Sequence, residues 1–295
     1  MSLRFGERVA VDRLSLEVPG GSVFGLIGPN GSGKTSTLRM LLDLLRPDSG
    51  RIEVLGDRRL SRARDRVGYV PEERGLYRRM AVRATLEYFG RLKGASPREL
   101  RPRIERWLAR MQLADVAGLR VDTLSKGMAQ KLQLLTAVIA EPELLILDEP
   151  LSGLDPVSAD MVGGVLSELR AQGRTILIST HDMAAAERLC DRIAMLFHGR
   201  LVLDGTLDEI RDRYATRMAR VETDAPNEVL QALPGVAAIV ERGRMRDVEL
   251  KDSPESFLAA LVACAGVRHF ELVRPSLHDV FVRIAGPGAG DELHD

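Results

Sequence analysis

The sequence contains few cysteines, and this scarcity argues against a disulfide-stabilised scaffold. Cys190 and Cys264 are the two cysteines among 295 residues, and both have apolar or small neighbours. Their wide separation along the chain predicts buried thiols rather than a disulfide or a metal-binding pair. We therefore expect the chain to occupy a reducing compartment.

Long hydrophobic runs and a net charge are missing as well. No stretch approaches the roughly 18 consecutive apolar residues that cross a bilayer. Arg4, Glu7 and Arg8 interrupt the amino terminus, so we expect no secretion signal there. The 42 basic and 42 acidic side chains cancel, so no overall field attracts nucleic acid. These absences predict a soluble chain with no nucleic-acid partner. Its 295 residues are enough for two domains.

One segment fits the phosphate-binding loop pattern G-x-x-x-x-G-K-[ST] at every required position. An apolar run at 23–27 predicts a buried strand before it, and leucines at helical spacing between 38 and 45 predict an amphipathic helix after it. The residues predicted to bind phosphate are Gly28, Pro29, Asn30, Gly31, Ser32, Gly33, Lys34, Thr35 and Ser36.

The residue types of this loop suit a nucleoside triphosphate. Its glycines let the backbone turn sharply and aim successive N–H groups at an anion. Lys34 can reach the β- and γ-phosphate oxygens, and Thr35 supplies a hydroxyl ligand for Mg²⁺. The helix that follows directs its amino end at the phosphates.

A second motif, at 144–149, is a continuous apolar run that ends in Asp148 and Glu149. Such a run predicts a strand buried on both faces of a parallel sheet, with its carboxylates at the ligand-binding edge. Asp148 can hold Mg²⁺ through water, and Glu149 can polarise the water that attacks the γ-phosphate. Two acids can also simply begin a solvated loop, but the accompanying phosphate loop disfavours that interpretation.

Three further segments carry polar residues next to predicted helices and strands. They are Leu124-Ser125-Lys126-Gly127-Met128, Ser152-Gly153-Leu154-Asp155-Pro156, and His181 directly after a predicted strand at 175–180. Together with the first two motifs, their order resembles that of the ATP-binding subunit of an ABC transporter, over about residues 1–210. The resemblance implies ATP and Mg²⁺ as cofactors. It also implies that two such subunits pair head to tail.

The resemblance assigns further roles residue by residue. Each ATP would lie between the phosphate loop of one subunit and the signature segment of the other, formed by Ser125, Lys126 and Gly127. Asp155 would belong to the loop that links the two sites. The catalytic set would be Glu149, His181 and Glu72, and the metal ligands would be Thr35, Asp148 and Glu72.

Two of these assignments have an ordinary structural alternative. Phe5 corresponds to the aromatic residue that stacks on adenine, although an aromatic side chain can equally be part of a core. His181 corresponds to the switch that contacts the γ-phosphate, although a histidine at a strand end can be purely structural.

Two positions depart from the family pattern. Glu72 stands where most relatives carry glutamine; a carboxylate can still ligate Mg²⁺, but it adds negative charge beside the γ-phosphate. Lys126 replaces the first of two glycines in the signature segment, and Met128 replaces a glutamine. Lys126 could contact phosphate or face solvent, and the sequence favours neither.

A different pattern begins at about residue 216. Predicted strands and helices follow the ferredoxin-like order β-α-β-β-α-β, at 218–224, 226–233, 236–240, 245–250, 254–265 and 267–273. The closing segment, 275–282, resembles the end of the small accessory domain of some exporter-type ABC ATPases, which suggests a regulatory or assembly role. The residues at 286–295 predict a disordered tail.

The predicted fold class is therefore α/β with a small α+β domain after it. A P-loop NTPase sheet at 1–215 would carry a helical subdomain at about 75–140, and a ferredoxin-like domain would occupy 216–285. The chain would power an exporter from the cytoplasmic face of the membrane, bound to a separate permease and to a second cassette, identical or paralogous. Apolar positions within 75–93 would receive the permease or form an ordinary helix core.

Two other functions remain as alternatives. A soluble ABC ATPase acting on nucleic acid or ribosomes usually carries two cassettes or a long coiled-coil insertion, and this chain has one cassette without such an insertion. A scaffold that binds nucleotide without turnover is left open by Glu72 and Lys126. The transported substrate and the direction of transport do not follow from the residues.

Overall fold

The computed structural model describes residues 1–58, 63–73, 75–214 and 217–286. The chain divides into two compact units: the larger contains Met1–Leu207 and also 284–286, and the smaller is Asp208–Arg283. This division lies closer to the amino terminus than the boundary expected between 215 and 216, and both of those residues lie outside the described ranges. The tail expected to be disordered also lies outside them, except for Gly286.

A six-stranded sheet forms the centre of the larger unit. Its strands are β3 (Val23–Ile27), β4 (Val67–Val70), β5 (Leu144–Asp148), β6 (Thr175–Thr180), β7 (Arg192–Phe197) and β8 (Arg200–Thr206), in the order β4-β5-β6-β3-β7-β8. All neighbours pair in parallel except β7 and β8. Every residue of β3, β5 and β6 is buried, which explains their unbroken apolar runs. A separate antiparallel pair, β1 (Leu3–Phe5) and β2 (Arg8–Val11), precedes this sheet.

Helices surround and extend this sheet. They are α1 (Lys34–Leu41), α2 (Val82–Leu92), α3 (Pro97–Arg110), α4 (Lys126–Val138), α5 (Pro156–Ala171) and α6 (Met183–Leu189). A further helix, α7 (Leu207–Arg213), follows β8 in the chain and falls almost entirely within the smaller unit. Three of them, α2 to α4, follow one another between β4 and β5, in the region where the sequence predicts a helical subdomain. The α1 helix stops at Leu41 rather than continuing to Leu45, because Asp43 adopts a left-handed backbone conformation that ends it.

The parallel register places the predicted site at one edge of the sheet. Ile27 of β3 pairs with Thr180 of β6, and Asp148 of β5 pairs with Ser179 of β6. The carboxyl ends of these three strands therefore lie side by side. The phosphate loop, Glu149 and His181 each begin directly after one of them, so the topology brings together residues that are far apart in sequence.

The smaller unit has the predicted ferredoxin-like arrangement. Its strands are β9 (Met218–Thr223), β10 (Val236–Arg242), β11 (Met245–Leu250) and β12 (Val267–Leu272), and its helices are α8 (Asn227–Ala232), α9 (Pro254–Cys264) and α10 (Leu277–Ala285). The antiparallel sheet has the order β10-β11-β9-β12. Alternate residues of β9 are buried, so one face of the sheet is apolar. On that face Val221 shares a core with Leu230 of α8 and with Phe257 and Leu261 of α9.

The two cysteines differ in their surroundings. Cys190 is buried, and burial raises the pKa of its thiol to about 12. Cys264 is exposed, so the prediction that both thiols are buried is wrong for this residue. It is the last residue of α9, where the helix ends, and its thiol donates to the Leu261 carbonyl. None of the described helices is both long enough and apolar enough to cross a membrane.

Candidate active site

The phosphate loop follows a path that requires glycine at two positions. Gly28 has φ 146°, and a Cβ there would lie 2.1 Å from the Leu196 carbonyl oxygen. Gly33 has φ 106°, and a Cβ there would lie 2.5 Å from the Ala10 carbonyl oxygen. Both the backbone conformation and the close approach of neighbouring backbone exclude a side chain. The fold thus accounts for two of the glycines that define the motif.

A depression of about 470 Å³ opens beside this loop, a volume typical of small-molecule sites. It is lined by Phe5, Arg8, Ala10, Asn30, Gly31, Gly33, Lys34, Thr35, Ser36, Glu72 and Glu149. Phe5 is 52% exposed, which rules out the alternative of a plain core residue. Arg8, the cross-strand partner of Phe5 in the β1–β2 pair, was not predicted as a pocket residue. We call this depression the nucleotide pocket.

The buried ammonium of Lys34 lies between the phosphate loop and Glu149. Its Nζ donates to the carbonyl oxygens of Gly28 at 2.7 Å and Pro29 at 3.1 Å, and lies 4.0 Å from Glu149 Oε1. Burial lowers the pKa of Lys34, and the nearby carboxylates of Glu149, Asp148 and Glu72 oppose that shift. The loop and the end of β5 are thereby joined through one positive charge.

Asp148 leaves one oxygen free at the end of β5. Its Oδ1 accepts hydrogen bonds from the Ser179 hydroxyl and, at 3.4 Å, from the Thr35 hydroxyl. Its Oδ2 is buried and has no hydrogen-bond partner among the described residues, and the same is true of Ser32 Oγ in the loop. Buried polar atoms without a partner are rare in folded proteins. Two of them beside a phosphate loop fit a site that binds a charged ligand.

Glu149 is held in a strained backbone conformation. Its φ is +50°, a value that costs a non-glycine residue about 1–3 kcal/mol. Its Oε2 accepts from the Thr180 hydroxyl at 3.1 Å, and its Oε1 accepts from the His181 backbone N–H at 2.9 Å. The His181 ring Nδ1 lies 2.8 Å from the same Oε1. The strand end of β6 therefore fixes this carboxylate at the pocket.

A buried glutamine positions the loop that carries Glu72. The Gln133 Nε2 of α4 donates to the carbonyl oxygens on either side of Glu72, at 2.8 Å to Pro71 and 3.2 Å to Glu73. Sequence reasoning missed Gln133, Ser179 and Thr180. Gln133 lies on a helix face that resembles ordinary core, whereas the two hydroxyls at the end of an apolar strand were a usable signal.

The signature segment lies apart from the nucleotide pocket. Ser125 caps α4, its Oγ accepting from the Met128 N–H at 3.2 Å. A Cβ at Gly127 would lie 3.7 Å from Leu154 Cδ2, and the Lys126 ammonium extends over the loop at Gly153. The segment therefore packs against residues 152–155 of its own chain. Of the described residues that line the pocket, none belongs to this segment.

The linking-loop aspartate is a helix cap in this structure. Asp155 Oδ1 accepts from the Ser158 N–H at 2.9 Å at the start of α5. Hydrogen bonds from Ser158 hold the pKa of this carboxyl below its usual range. Asp155 does not line the pocket and lies beside Gly127 instead.

The donor set suits a divalent ion that arrives with a phosphate ligand. The described part of the chain contains no group of three or more His, Cys, Asp or Glu side chains arranged to hold a metal. Thr35 Oγ1 and the unpartnered Asp148 Oδ2 could each hold one position. Mg²⁺ commonly takes few protein ligands together with substrate phosphates and water.

Comparison with known proteins agrees with this geometry. A family model described as ABC transporter matches residues 11–152, and one described as the C-terminal domain of DrrA1-3-like ATP-binding proteins matches 205–285. An uncharacterized ABC transporter ATP-binding protein of Bacillus subtilis (strain 168), YhaQ, is 39% identical and covers 96% of this chain and 95% of its own. The Nod factor export ATP-binding protein I of Rhizobium sp. (strain N33) is 38% identical, over 96% of this chain and 94% of that protein.

A solved structure gives the same result for the fold. The structure of an ATP-binding subunit of an ABC transporter has a TM-score of 0.68 and 33% identity, over 72% of this chain and 90% of its own. The resemblance inferred from the motifs and the α/β fold class are confirmed. The soluble nucleic-acid ATPase and the inactive scaffold are set aside. This chain belongs to the ATP-binding, ATP-hydrolysing subunits of ABC transporters.

Proposed function

We propose that two copies, or this chain and a paralogue, pair head to tail and drive an exporter. The observation that supports pairing most is the separation of the signature segment from the nucleotide pocket within one chain. Ser125, Lys126 and Gly127 would complete the pocket of the neighbouring subunit. The name of the Rhizobium relative supports the export direction.

The pocket residues then have distinct roles in ATP hydrolysis. The backbone N–H groups of the loop and the Lys34 ammonium bind the phosphates, and exposed Phe5 stacks on the base. Glu149 takes the proton of the attacking water, held in place by Thr180 and His181. His181 positions that carboxylate, and its ring, which is 38% exposed, is assigned the contact with the γ-phosphate.

We also propose that Mg²⁺ accompanies the ATP. Thr35 and Asp148 would hold it, with Glu72 at the pocket wall as a further oxygen ligand. When bound, the ion would neutralise charge that develops on the phosphate oxygens. On binding, Lys34 Nζ would exchange its bonds to the Gly28 and Pro29 carbonyls for phosphate oxygens, and Asp148 Oδ2 would gain a partner.

A groove on the larger unit suits the permease. It has a volume of about 360 Å³ and a mainly apolar lining that includes Leu42, Leu44, Phe89, Leu92, Ala137 and Pro142. Leu44 and Leu92 are exposed, as expected of a surface that a partner covers. We propose that a short helix of a separate membrane-spanning subunit binds here, which would hold the chain at the cytoplasmic face of the membrane.

The domain roles complete the proposal. The cassette would span 1–215 with its helical subdomain at about 75–140, and the ferredoxin-like domain at 216–285 would serve assembly or regulation. The match of a separate family model to 205–285 supports an independent module.

Purification of the tagged chain from detergent extracts tests the transport assignment. We expect a multi-span membrane protein to be recovered with it, and the Leu92→Glu variant to lose that protein because it places a charge in the groove. The matched control is Leu119→Glu, an exposed leucine that does not line the groove. Recovery of ribosomes or DNA instead would overturn the assignment.

A concentration series tests pairing. With Mg²⁺ and ATP, hydrolysis per subunit should rise with protein concentration, and the chain should sediment as a pair. Full activity from isolated single copies would contradict the shared site.

A further inference from the structure

Positive charge is concentrated in one part of a chain that is neutral overall. Residues 75–120 contain eleven arginine or lysine side chains and four carboxylates, a surplus of seven positive charges, whereas the whole chain has a net charge of zero. Balanced totals therefore conceal a segregated surface. Such a surface attracts polyanions or anionic membranes even when the net charge does not.

Several of these arginines form ion pairs, and others do not. Within the described chain, Arg83 pairs with Glu105, Arg103 with Glu141, Arg110 with Glu168 and Arg120 with Asp122. Exposed arginines that make no ion pair with a described residue are Arg78, Arg79, Arg91, Arg98, Arg101 and Arg106. The carboxylate of Glu99 does not fully neutralise the charge of Arg98, because it accepts hydrogen bonds from the Ser96 N–H and hydroxyl at the start of its own helix.

The packing of α2 against α3 brings three of the unpaired arginines to one end. A Cβ on Gly90 would lie 2.2 Å from Leu100 Cδ2, and Arg83 pairs with Glu105, so the two helices run antiparallel side by side. The short turn after Leu92 joins them. Arg91, Arg98 and Arg101 therefore flank this turn.

Large apolar side chains are exposed at the same end. Leu92 is 64% exposed and Tyr88 is 39% exposed, and the Tyr88 ring contacts the ring of Tyr77, also exposed. Tyr88, Arg91 and Leu92 line one shallow depression together with Glu87. Glu87 is an exposed carboxylate in this depression and offsets one charge. We call Tyr88, Arg91, Leu92, Arg98 and Arg101 the basic tip.

We propose that the basic tip binds the anionic headgroups of a membrane. Tyrosine is enriched at membrane interfaces, where one end of the ring is apolar and the other is hydrated. Each arginine near an anionic lipid surface strengthens binding about fivefold. An exposed leucine between arginines suits insertion among headgroups, which an RNA partner would not need.

The position of the tip supports a membrane over other polyanions. Leu92 belongs both to the tip and to the apolar groove, which also contains Phe89 and Lys93. A membrane-spanning partner seated in that groove would bring the tip towards the lipid. This orientation rests on the proposed function, whereas the charge and exposure of the tip do not.

Sedimentation of the full chain with lipid vesicles tests the proposal without a permease. We expect binding to vesicles of phosphatidylcholine and phosphatidylglycerol that weakens as salt rises, and little binding to phosphatidylcholine alone. The combined variant Arg91→Gln, Arg98→Gln and Arg101→Gln should bind about a hundredfold more weakly. Its basal ATP hydrolysis should be unchanged, which controls for folding.

A matched control removes the same charge elsewhere. Arg46, Arg244 and Lys251 are exposed and make no ion pair with a described residue, and their joint replacement by Gln should leave vesicle binding within a fewfold. Equal loss in both combined variants would mean a nonspecific charge effect and would overturn the proposal. Binding to homopolymer RNA in place of vesicles would overturn it as well. If the unaltered tagged chain recovers no membrane protein from detergent extracts while its vesicle binding is intact, the proposed function alone is refuted.

Discussion

Each unit contains a buried aspartate, and the two differ in the hydrogen-bond partners of their carboxylate oxygens. Asp148 on β5 is 1% exposed, and Asp247 on β11 is 5% exposed. Both oxygens of Asp247 accept hydrogen bonds from the Arg220 guanidinium, and Arg242 pairs with its Oδ2. Asp148 has hydroxyl partners at Oδ1 and none among the described residues at Oδ2.

The difference separates a structural carboxylate from a functional one. Arg220 and Asp247 stand directly opposite each other on β9 and β11, so their pair stabilises the sheet that holds them. A buried carboxylate oxygen without a partner destabilises a fold unless a ligand completes it. At the end of β5 this cost occurs beside strained Glu149 and buried Lys34, where ATP is expected. An unpartnered carboxylate oxygen therefore distinguishes Asp148 at the nucleotide pocket from Asp247 in the smaller unit.

The largest test of this comparison removes the carboxylate next to Asp148. Glu149→Gln should slow ATP hydrolysis by on the order of a hundredfold or more, because an amide cannot accept the proton of the attacking water. ATP should still bind, and paired subunits should accumulate. Phosphate release and nucleotide titration measure the two effects.

The matched control for that variant lies at the other end of the same strand. Glu143 precedes β5 and pairs with Arg66 at the surface, so Glu143→Gln should leave hydrolysis unchanged. Equal rates in Glu149→Gln and the parent would reject the assignment of the base.

A smaller effect, on ATP affinity, is expected when the Lys34 ammonium is removed. Lys34→Ala should weaken ATP binding about 10- to 100-fold, because it removes charge-assisted hydrogen bonds to the phosphates. Calorimetric titration measures the affinity. Lys93→Ala is the control, since that ammonium donates to the carbonyls of Arg64 and Val67 outside the pocket. Normal ATP affinity in Lys34→Ala would argue against the phosphate cradle.

The smallest effect on hydrolysis should come from the structural carboxylate. Asp247→Asn should lower the free energy of unfolding of the smaller unit by about 1–3 kcal/mol and leave hydrolysis unchanged. Hydrogen exchange of the β9 and β11 amides measures this. Asp224→Asn, which breaks an exposed pair with Arg268, should cost at most about 1 kcal/mol. If Asp247→Asn lowered ATP hydrolysis and left hydrogen exchange unchanged, Asp247 would be a functional carboxylate rather than a structural one.

The same residue predicts a pH dependence. Hydrogen bonds from Arg220 hold the pKa of the Asp247 carboxyl below its usual range, with further help from Arg242. Its stabilising contribution is therefore complete at neutral pH and is lost as the pH falls from about 4 towards the lowered folded-state pKa. Protection of the β9 and β11 amides, that is, their exchange relative to the intrinsic rate at each pH, should fall in the parent over that acid range. The Asp247→Asn variant should lack this loss of protection. Parallel acid profiles would contradict the prediction.

The sequence could predict the parts of the site that lie in continuous segments. The loop from Gly28, the acids after β5 and the strand before His181 each show their patterning locally, because strand and helix periods are local properties. Gln133 and Arg8 could not be found in this way. Each acts across a distance set by packing, Gln133 on the carbonyls beside Glu72 and Arg8 at the wall of the pocket.

The sequence by itself determined the ligand class, the α/β sheet, the ferredoxin-like order of the smaller unit and the family. These follow from residue types at short spacing, because the periods of strands and helices and the turns of the phosphate loop depend on residues close together in the chain. Only the tertiary structure decided that Phe5 is exposed, that His181 bonds Glu149, and that the signature segment lies away from the pocket of its own chain. Those outcomes depend on which strand ends become neighbours in the sheet and on how helices pack, and that is a property of the whole fold.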